Sequence, residues 1–362
     1  MKLGLLLDEW VPLLRSTDAG EVARASEALS SALASNDESL RDRAARLLVR
    51  ALGQEPALAE AALHLLQVSW FPPTPGLAKP AAQAALGALP RLAAGSPAIQ
   101  DAALLLANIC RVEPGQLADL TAALDHELPA VRQAAAGALG RAGEAAAAQV
   151  PALIRSLSDP RAEVVDAALT SLCALAPLAP LAAPALLQVV RAQHGHRRYQ
   201  ALAALRGLLE AARLEGRSFP DGLDDGATAM AEAVADRDAA ARLEASVCLG
   251  LLGSDQPQAA AALRQLLADT EPEVAAHAAA ALLRLQGAPR EALDLLEALL
   301  HDGEPARQQA ALDALEGLEP SLLRQGKLGE LLIRVTASAP GDIQQAIRAL
   351  LQPATADRAA SD

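Results

Sequence analysis

The chain has 362 residues and a formal net charge of −13, from 44 acidic and 31 basic residues. Because gripping a phosphate backbone requires a basic face, this balance makes nucleic-acid binding unlikely. The chain is 52% hydrophobic but only 1% aromatic, so it lacks the Phe, Tyr and Trp with which large β-sandwiches and most enzymes fill their cores. Its apolar content is concentrated in Ala and Leu, both strong helix formers, and the composition predicts an all-α protein.

Residues 1–94 predict a cap and irregular helical repeats. Helices are expected over 5–14, from Asp18, from Asp37 to Gly53 and over 55–68. The following segment, SWFPPTP, cannot be helical throughout because its prolines each remove a hydrogen-bond donor. Its Trp70 and Phe71 could form an exposed hot spot for a partner. They could instead fold back and plug the gap before the regular array, and we prefer the plug.

Residues 95–352 predict a regular array. Acidic turns recur at Asp125, Asp159, Asp236, Asp269 and Asp302, with intervals of 34, 33 and 33 residues inside the uninterrupted stretches. Such intervals are typical of helical repeats. The longer gap before Asp236 is explained by a loop insertion near 214–226, within EGRSFPDGLDDG, which is rich in Gly, Pro and Asp. Residues 353–362 predict a flexible tail.

The clearest two repeats lie between Leu124 and Ala176. They read LDHELPAVRQAAAGALGRAG, EAAAAQVPALIRSL and SDPRAEVVDAALTSLCALA. This stretch resembles the HEAT-repeat family, specifically short bacterial repeats similar to those of phycobilin lyases. The resemblance implies a right-handed α-solenoid of about nine or ten stacked helical hairpins, in which the second helix of each hairpin lines a concave groove.

An arginine follows several of the acidic turns after six or seven residues. In HEAT-like families such residues form a ladder between adjacent repeats, and the resemblance implies the same here. The alternative is an anion-binding ridge. The ladder is interrupted by Val165, Ala275 and Gln308. The predicted ladder residues are Asp18, Arg24, Asp37, Arg43, Asp125, Arg132, Asp236 and Arg242.

The segment Gln193–Tyr199, QHGHRRY, is the densest cationic cluster of the sequence. We expect it at a turn and in the first turn of a helix, where backbone N–H groups and arginines together suit an anion or a phosphopeptide. The alternative is a solvated turn whose arginines pair with acids such as Glu210. The candidate ligand-contacting residues are His194, His196, Arg197, Arg198 and Tyr199.

Two classes of HEAT-like enzyme do not fit the residues of this chain. Deoxyhypusine hydroxylases are HEAT-like proteins that bind two irons through several His-Glu pairs, whereas this chain has only the pair His126-Glu127. HEAT-like DNA glycosylases use a basic face with aromatics, which this acidic, aromatic-poor chain does not offer. No nucleotide-binding or hydrolase motif occurs, the three cysteines are dispersed, and we predict no catalytic residue, metal or cofactor.

The sequence therefore predicts a cytoplasmic, non-enzymatic scaffold or adaptor without membrane insertion, and its oligomeric state is left open. Its partner would be another protein with a basic surface, bound along the concave groove. One alternative is a lyase-like or chaperone-like accessory protein that handles a cofactor or a modified polypeptide. Another is an anion or nucleic-acid binder that uses Gln193–Tyr199. The groove residues expected to contact a partner are Arg132, Gln133, Glu163, Asp166, Glu244 and His277.

Overall fold

The computed structural model describes residues 7–219, 226–253, 257–286, 289–324 and 326–352. This part of the chain contains 21 α-helices and no strand, as the composition predicts. The expected tail at 353–362 and the centre of the expected insertion, 220–225, lie outside the described residues.

The chain forms two compact units, Met1–Ala182 and Ala183–Asp362. The predicted division into 1–94 and 95–352 rests on repeat regularity rather than compactness, and it stays a prediction. The helices of unit 1 are α1 (Leu7–Leu13), α2 (Ala19–Leu33), α3 (Glu38–Ala51), α4 (Pro56–Ser69), α5 (Pro75–Ala88), α6 (Pro97–Val112), α7 (Leu117–Ala123), α8 (Pro129–Arg141), α9 (Val150–Ser156) and α10 (Ala162–Ala174). Those of unit 2 are α11 (Ala183–Ala192), α12 (His196–Leu214), α13 (Gly226–Ala233), α14 (Ala239–Leu252), α15 (Pro257–Leu266), α16 (Pro272–Gln286), α17 (Arg290–Leu300), α18 (Pro305–Glu316), α19 (Pro320–Arg324), α20 (Gly326–Ser338) and α21 (Gly341–Leu351).

Successive helices pair as hairpins, and we call the first helix of each pair the A helix and the second the B helix. In unit 1 the B helices are α2, α4, α6, α8 and α10; in unit 2 they are α12, α14, α16 and α18. Within unit 1, α4 packs on α6, α6 on α8 and α8 on α10, and within unit 2, α12 packs on α14, α14 on α16 and α16 on α18. Each of these B-helix pairs packs more extensively than the A helices of the same unit pack on one another. With α20 and α21 as a further pair, the described residues form ten hairpins. The fold is an all-α solenoid, in agreement with the prediction.

Small residues set the spacing between B helices at equivalent positions in both units. Gly140 and Gly250 each lie eight residues after a ladder arginine. A Cβ at Gly140 would lie 2.5 Å from Cα of Ser171 in α10, and one at Gly250 would lie 2.9 Å from Cα of Ala281 in α16. Neither position can take a larger residue unless the helices separate, so the alanine- and glycine-rich composition allows the close stacking.

The two first acidic turns lie at opposite edges of the helical layer. Asp18 precedes α2 within the first hairpin, whereas Asp37 precedes α3 and therefore joins one hairpin to the next. Both aspartates cap helices: Asp18 Oδ1 accepts from the Gly20 N–H at 2.7 Å, and Asp37 Oδ1 accepts from the Ser39 N–H at 3.0 Å. The spacing of 19 residues between them is half a repeat, which explains why the N-terminal hairpins follow a different register.

Candidate functional site

Two arginines join neighbouring hairpins through the turns that precede B helices. Arg132, in the first turn of α8, donates from Nε and Nη2 to both carboxylate oxygens of Asp159, at 2.6 and 2.9 Å. Arg242, in the first turn of α14, makes the same bidentate pair with Asp269, at 2.7 and 2.8 Å. The side chains of Arg132 and Asp159 are only 12% and 9% exposed. These are well-desolvated pairs in the geometry that arginine favours with carboxylates.

Each of these arginines also closes its own turn. Nη1 of Arg132 donates to the carbonyl oxygens of His126 and Glu127, at 2.8 and 3.0 Å, and Nη1 of Arg242 donates to that of Asp236 at 2.9 Å. The hydrogen bond from Arg132 holds the pKa of Asp159 below its usual value. One arginine therefore fixes the turn of its own hairpin and the turn of the next.

Arg198 forms a third pair of this kind. Its Nη1 donates to Oδ2 of Asp236 at 2.9 Å, and its Nε donates to the Val190 carbonyl at 2.9 Å. Arg198 is 6% exposed, so its assignment to a ligand-contacting cluster is corrected: it is a structural rung. Burial raises the pKa of Asp236, but hydrogen bonds from the Asp238 and Gly195 backbone and the charge of Arg198 bring it below its usual value.

The N-terminal residues assigned to the ladder do not form rungs. Arg43 lies on the A helix α3 and pairs with Asp8 of α1, because Asp37 belongs to the turn between hairpins. Arg24 on α2 is exposed and makes no ion pair among the described residues. Asp125 is likewise exposed and has no arginine partner within the described ranges, because the B helix before it, α6, carries no arginine in its first turn.

Gln308 occupies the position of the ladder arginine in α18 and keeps the contact to its own turn. Its Nε2 donates to the carbonyl oxygen of Asp302 in its own turn, at 2.7 Å. A glutamine is too short to reach the next turn as well. This repeat therefore does not rely on packing alone.

The QHGHRRY segment lies at the α11–α12 turn, beside a cleft of about 940 Å3 in unit 2. His194 and His196 are exposed, whereas Arg197 and Tyr199 are half-buried. Asp236 accepts hydrogen bonds from the Gly195 N–H and from Arg198. An internal carboxylate thus occupies the position that a bound anion would take at this helix N-terminus.

The predicted groove residues lie on B helices or on the turns before them, but they differ in exposure. Gln133 on α8, Asp166 on α10 and His277 on α16 are half-buried. Glu163 is also half-buried, and its carboxylate lies 3.2 Å from Nη2 of Arg161. Glu244 was expected to be exposed, and that expectation is wrong: it is 5% exposed.

Glu244 belongs to a charged cluster on the B helices of unit 2, which we call the B-helix charge cluster. Its Oε2 lies 2.8 Å from Nε of Arg206 on α12. Burial raises the pKa of Glu244, and the charge of Arg206 opposes that rise. The members of the cluster are Arg206, Glu210, Arg213, Glu244, Arg284 and Glu319.

One ion pair of this cluster bridges helices that are far apart in sequence. Nη2 of Arg213, at the end of α12, lies 2.7 Å from Oε1 of Glu319, which follows α18. Nε of Arg284 on α16 lies 3.8 Å from Oε2 of the same carboxylate. Burial lowers the pKa of Arg284, while the charge of Glu319 opposes that change. This cluster is not evident from the sequence, because only the fold brings its helices together.

The adjacent aromatics Trp70 and Phe71 have opposite environments. Trp70 ends α4 and is fully buried, whereas Phe71 is 60% exposed. Trp70 therefore packs inside the N-terminal repeats and does not present a surface to a partner. Phe71 lies at the surface, as does Val68, which is 59% exposed.

Within the described ranges, no group of three or more His, Cys, Asp or Glu side chains is arranged to hold a metal ion. None of the helices in that part of the chain is both long and apolar enough to cross a bilayer. Cys110 and Cys248 are buried, and Cys173 is half-buried.

Stacked helical hairpins joined by arginine–aspartate rungs define a helical-repeat protein of the solenoid class. The family model for HEAT repeats matches residues 117–206 and 227–316, and the chain is a HEAT-repeat protein. The finer likeness to phycobilin-lyase repeats stays a prediction. No curated protein sequence shows significant similarity to the chain.

Solved structures share the fold at low sequence identity. A chain from the structure in which Kap95p binding induces the switch loops of RanGDP to adopt the GTP-bound conformation is 13% identical, with a TM-score of 0.51. The karyopherin structure of Kap121p bound to the SUMO protease Ulp1p is 16% identical, with a TM-score of 0.50. Each alignment covers 96% of this chain, which spans 56% and 41% of those chains respectively. An engineered protein aligns over 88% of this chain and 99% of its own length, at 20% identity and a TM-score of 0.46.

Proposed function

We propose that this protein is a non-enzymatic scaffold or adaptor that binds another protein along the open face of its B helices. The observation that supports this most directly is the Arg213–Glu319 ion pair. It joins the end of α12 to the residue that directly precedes α19, past the intervening B helices α14 and α16. This convergence of helix ends that are separated by two hairpins supports a B face that is the concave side of unit 2.

The B face offers the chemistry of a protein-binding surface. Half-buried polar side chains lie on the B helices of each unit, Gln133 and Asp166 in unit 1 and His277 in unit 2, and most of each helix behind them is packed Ala and Leu. A rigid backbone with polar side chains at one face suits an extended protein ligand, as in other repeat proteins. The net charge of −13 favours a partner with a basic surface.

The proposal is tested by reversing charge on the B face and comparing capture of the native partner. The variants are Asp166→Arg on α10 and His277→Glu on α16. The matched control is Arg155→Glu, an exposed residue of the A helix α9. Quantitative mass spectrometry after affinity purification from the native source should show the same partner lost from the B-face variants and retained by the control. Equal retention by all three variants would contradict the proposal.

A further inference from the structure

Helix α12 is longer than the other B helices of unit 2, and its additional length carries Arg213. It has 19 residues, against 14 in α14, 15 in α16 and 12 in α18. Without its last turns, α12 would end before Arg213 and would not reach Glu319. The last residue of the helix, Leu214, is 88% exposed, although Ala211 and Ala212 in the same turn are buried.

The Glu319 carboxylate, which Arg213 contacts, is not fully hydrogen-bonded by its other neighbours. Oε2 of Glu319 is buried and accepts no hydrogen bond within the described residues, although Nε of Arg284 lies 3.8 Å away. Arg284 instead donates from Nη2 to the Gly317 carbonyl. Arg213 is therefore the arginine that contacts Glu319 at hydrogen-bond distance, through Oε1.

The ion pair between Arg213 and Glu319 is accessible to a competing cation. The side chains of Arg213 and Glu319 are 42% and 33% exposed, so a solvent molecule or another cation can reach them. When Arg213 is displaced, the cluster keeps three carboxylates, those of Glu210, Glu244 and Glu319, against two guanidinium groups. The vacated position is then acidic and has the shape left by an arginine side chain.

We propose that Arg213 occupies, within the chain, the binding position for an arginine side chain of the partner protein, and that the partner binds by displacing it. The inference rests on the proposed function, because it assigns the chemistry of the partner at one point of the B face. Arg213 acts as an internal competitor, so its contact with Glu319 is autoinhibitory. Removal of the competitor should strengthen binding of an arginine-bearing peptide, whereas a merely structural contact would leave that binding unchanged or weaker.

The experiment titrates the full chain into a fluorescently labelled hexa-arginine peptide and follows anisotropy at low ionic strength. Since an exposed ion pair shifts an equilibrium by up to about fivefold, Arg213→Ala should bind the peptide about three- to fivefold more tightly than the unmodified chain. Arg290→Ala is the matched control, because it removes the same charge from a side chain that is 91% exposed and lies outside the cluster. Its affinity should change less than twofold.

A second pair of variants locates the site. Glu319→Gln introduced into Arg213→Ala should remove the gain, whereas Glu330→Gln, at an exposed position of α20, should retain it. Arg213→Gln gives the same comparison if the alanine variant has a lower melting temperature by circular dichroism. Unchanged or weaker binding in Arg213→Ala, or an equal gain in Arg290→Ala, would overturn the inference. If the affinity for the peptide does not depend on Arg213 but partner capture still depends on Asp166 and His277, the inference fails and the proposed function stands.

Discussion

Replacing Arg132 by glutamine should separate its two roles, because Gln308 shows what a glutamine does at the equivalent position. The variant would keep a hydrogen bond to its own turn and lose the two bonds to Asp159. Asp159 would then retain the backbone N–H of Arg161, at 2.9 Å. Because both side chains are about nine-tenths buried, losing two charge-assisted bonds should cost about 2–4 kcal/mol of stability in this region. Arg132→Ala should cost about 1 kcal/mol more, since the own-turn bond is lost as well.

The assay is native-state hydrogen exchange on the α8 and α10 amides, because a repeat protein with two compact units need not unfold in one step. A double-mutant cycle with Asp159→Asn should give a coupling energy of about 1–3 kcal/mol. Arg155→Gln, at an exposed position of α9, should change stability by less than about 0.5 kcal/mol. A coupling energy near zero, or a cost for Arg132→Gln no larger than that of the control, would refute the rung as a stabilising contact.

Three further predictions concern packing and acid stability. Gly140→Ala should lower the stability by about 1–3 kcal/mol, because its Cβ would overlap Ser171. Gly87→Ala, with open space around it, should raise the stability by about 0.5–1 kcal/mol. Thermal melts distinguish the two variants. Trp70→Ala should cost about 3–5 kcal/mol in denaturant titrations, while the exposed Phe71→Ala should change stability by less than about 0.5 kcal/mol. The lowered pKa of Asp159 contributes stability that is present above the ordinary aspartate pKa of about 3.9 and is lost as pH falls through the lowered value. The stability of Asp159→Asn should therefore fall less steeply than that of the unmodified chain as pH drops below about 4, as measured by circular dichroism. An unchanged slope would contradict this account.

The fold could be predicted from the sequence because each hairpin contains its own turn and helix signals. Acidic turns, an early proline and Ala/Leu helices recur at almost constant spacing, so the solenoid can be predicted from local sequence patterns. The pair between Arg132 and the next turn follows from the same repetition. The rung Arg198–Asp236 is not evident from the sequence, because the interval before Asp236 is longer than the others and hides the register. At the N-terminus, the Asp37 turn resembles the Asp18 turn in sequence but lies at the opposite edge of the layer.

The site could be predicted only in part, because exposure on a B face depends on the neighbouring helix. Glu244 has a polar position on α14, yet Arg206 of α12 covers it. Arg213 and Glu319 are 106 residues apart in sequence and meet only through the stacking of four B helices. Trp70 and Phe71 are adjacent in sequence, and only the packing of α4 distinguishes the buried ring from the exposed one.

Site-specific photo-crosslinking tests the B face as the partner-binding surface most directly. A photoreactive amino acid is placed at Thr170 on the B helix α10 and, in a separate protein, at Arg155 on the A helix α9; both positions are exposed. After partner capture and illumination, the position on α10 should form a covalent product with the partner and the position on α9 should not. A product from α9 alone would place the partner on the opposite face and contradict the proposed function.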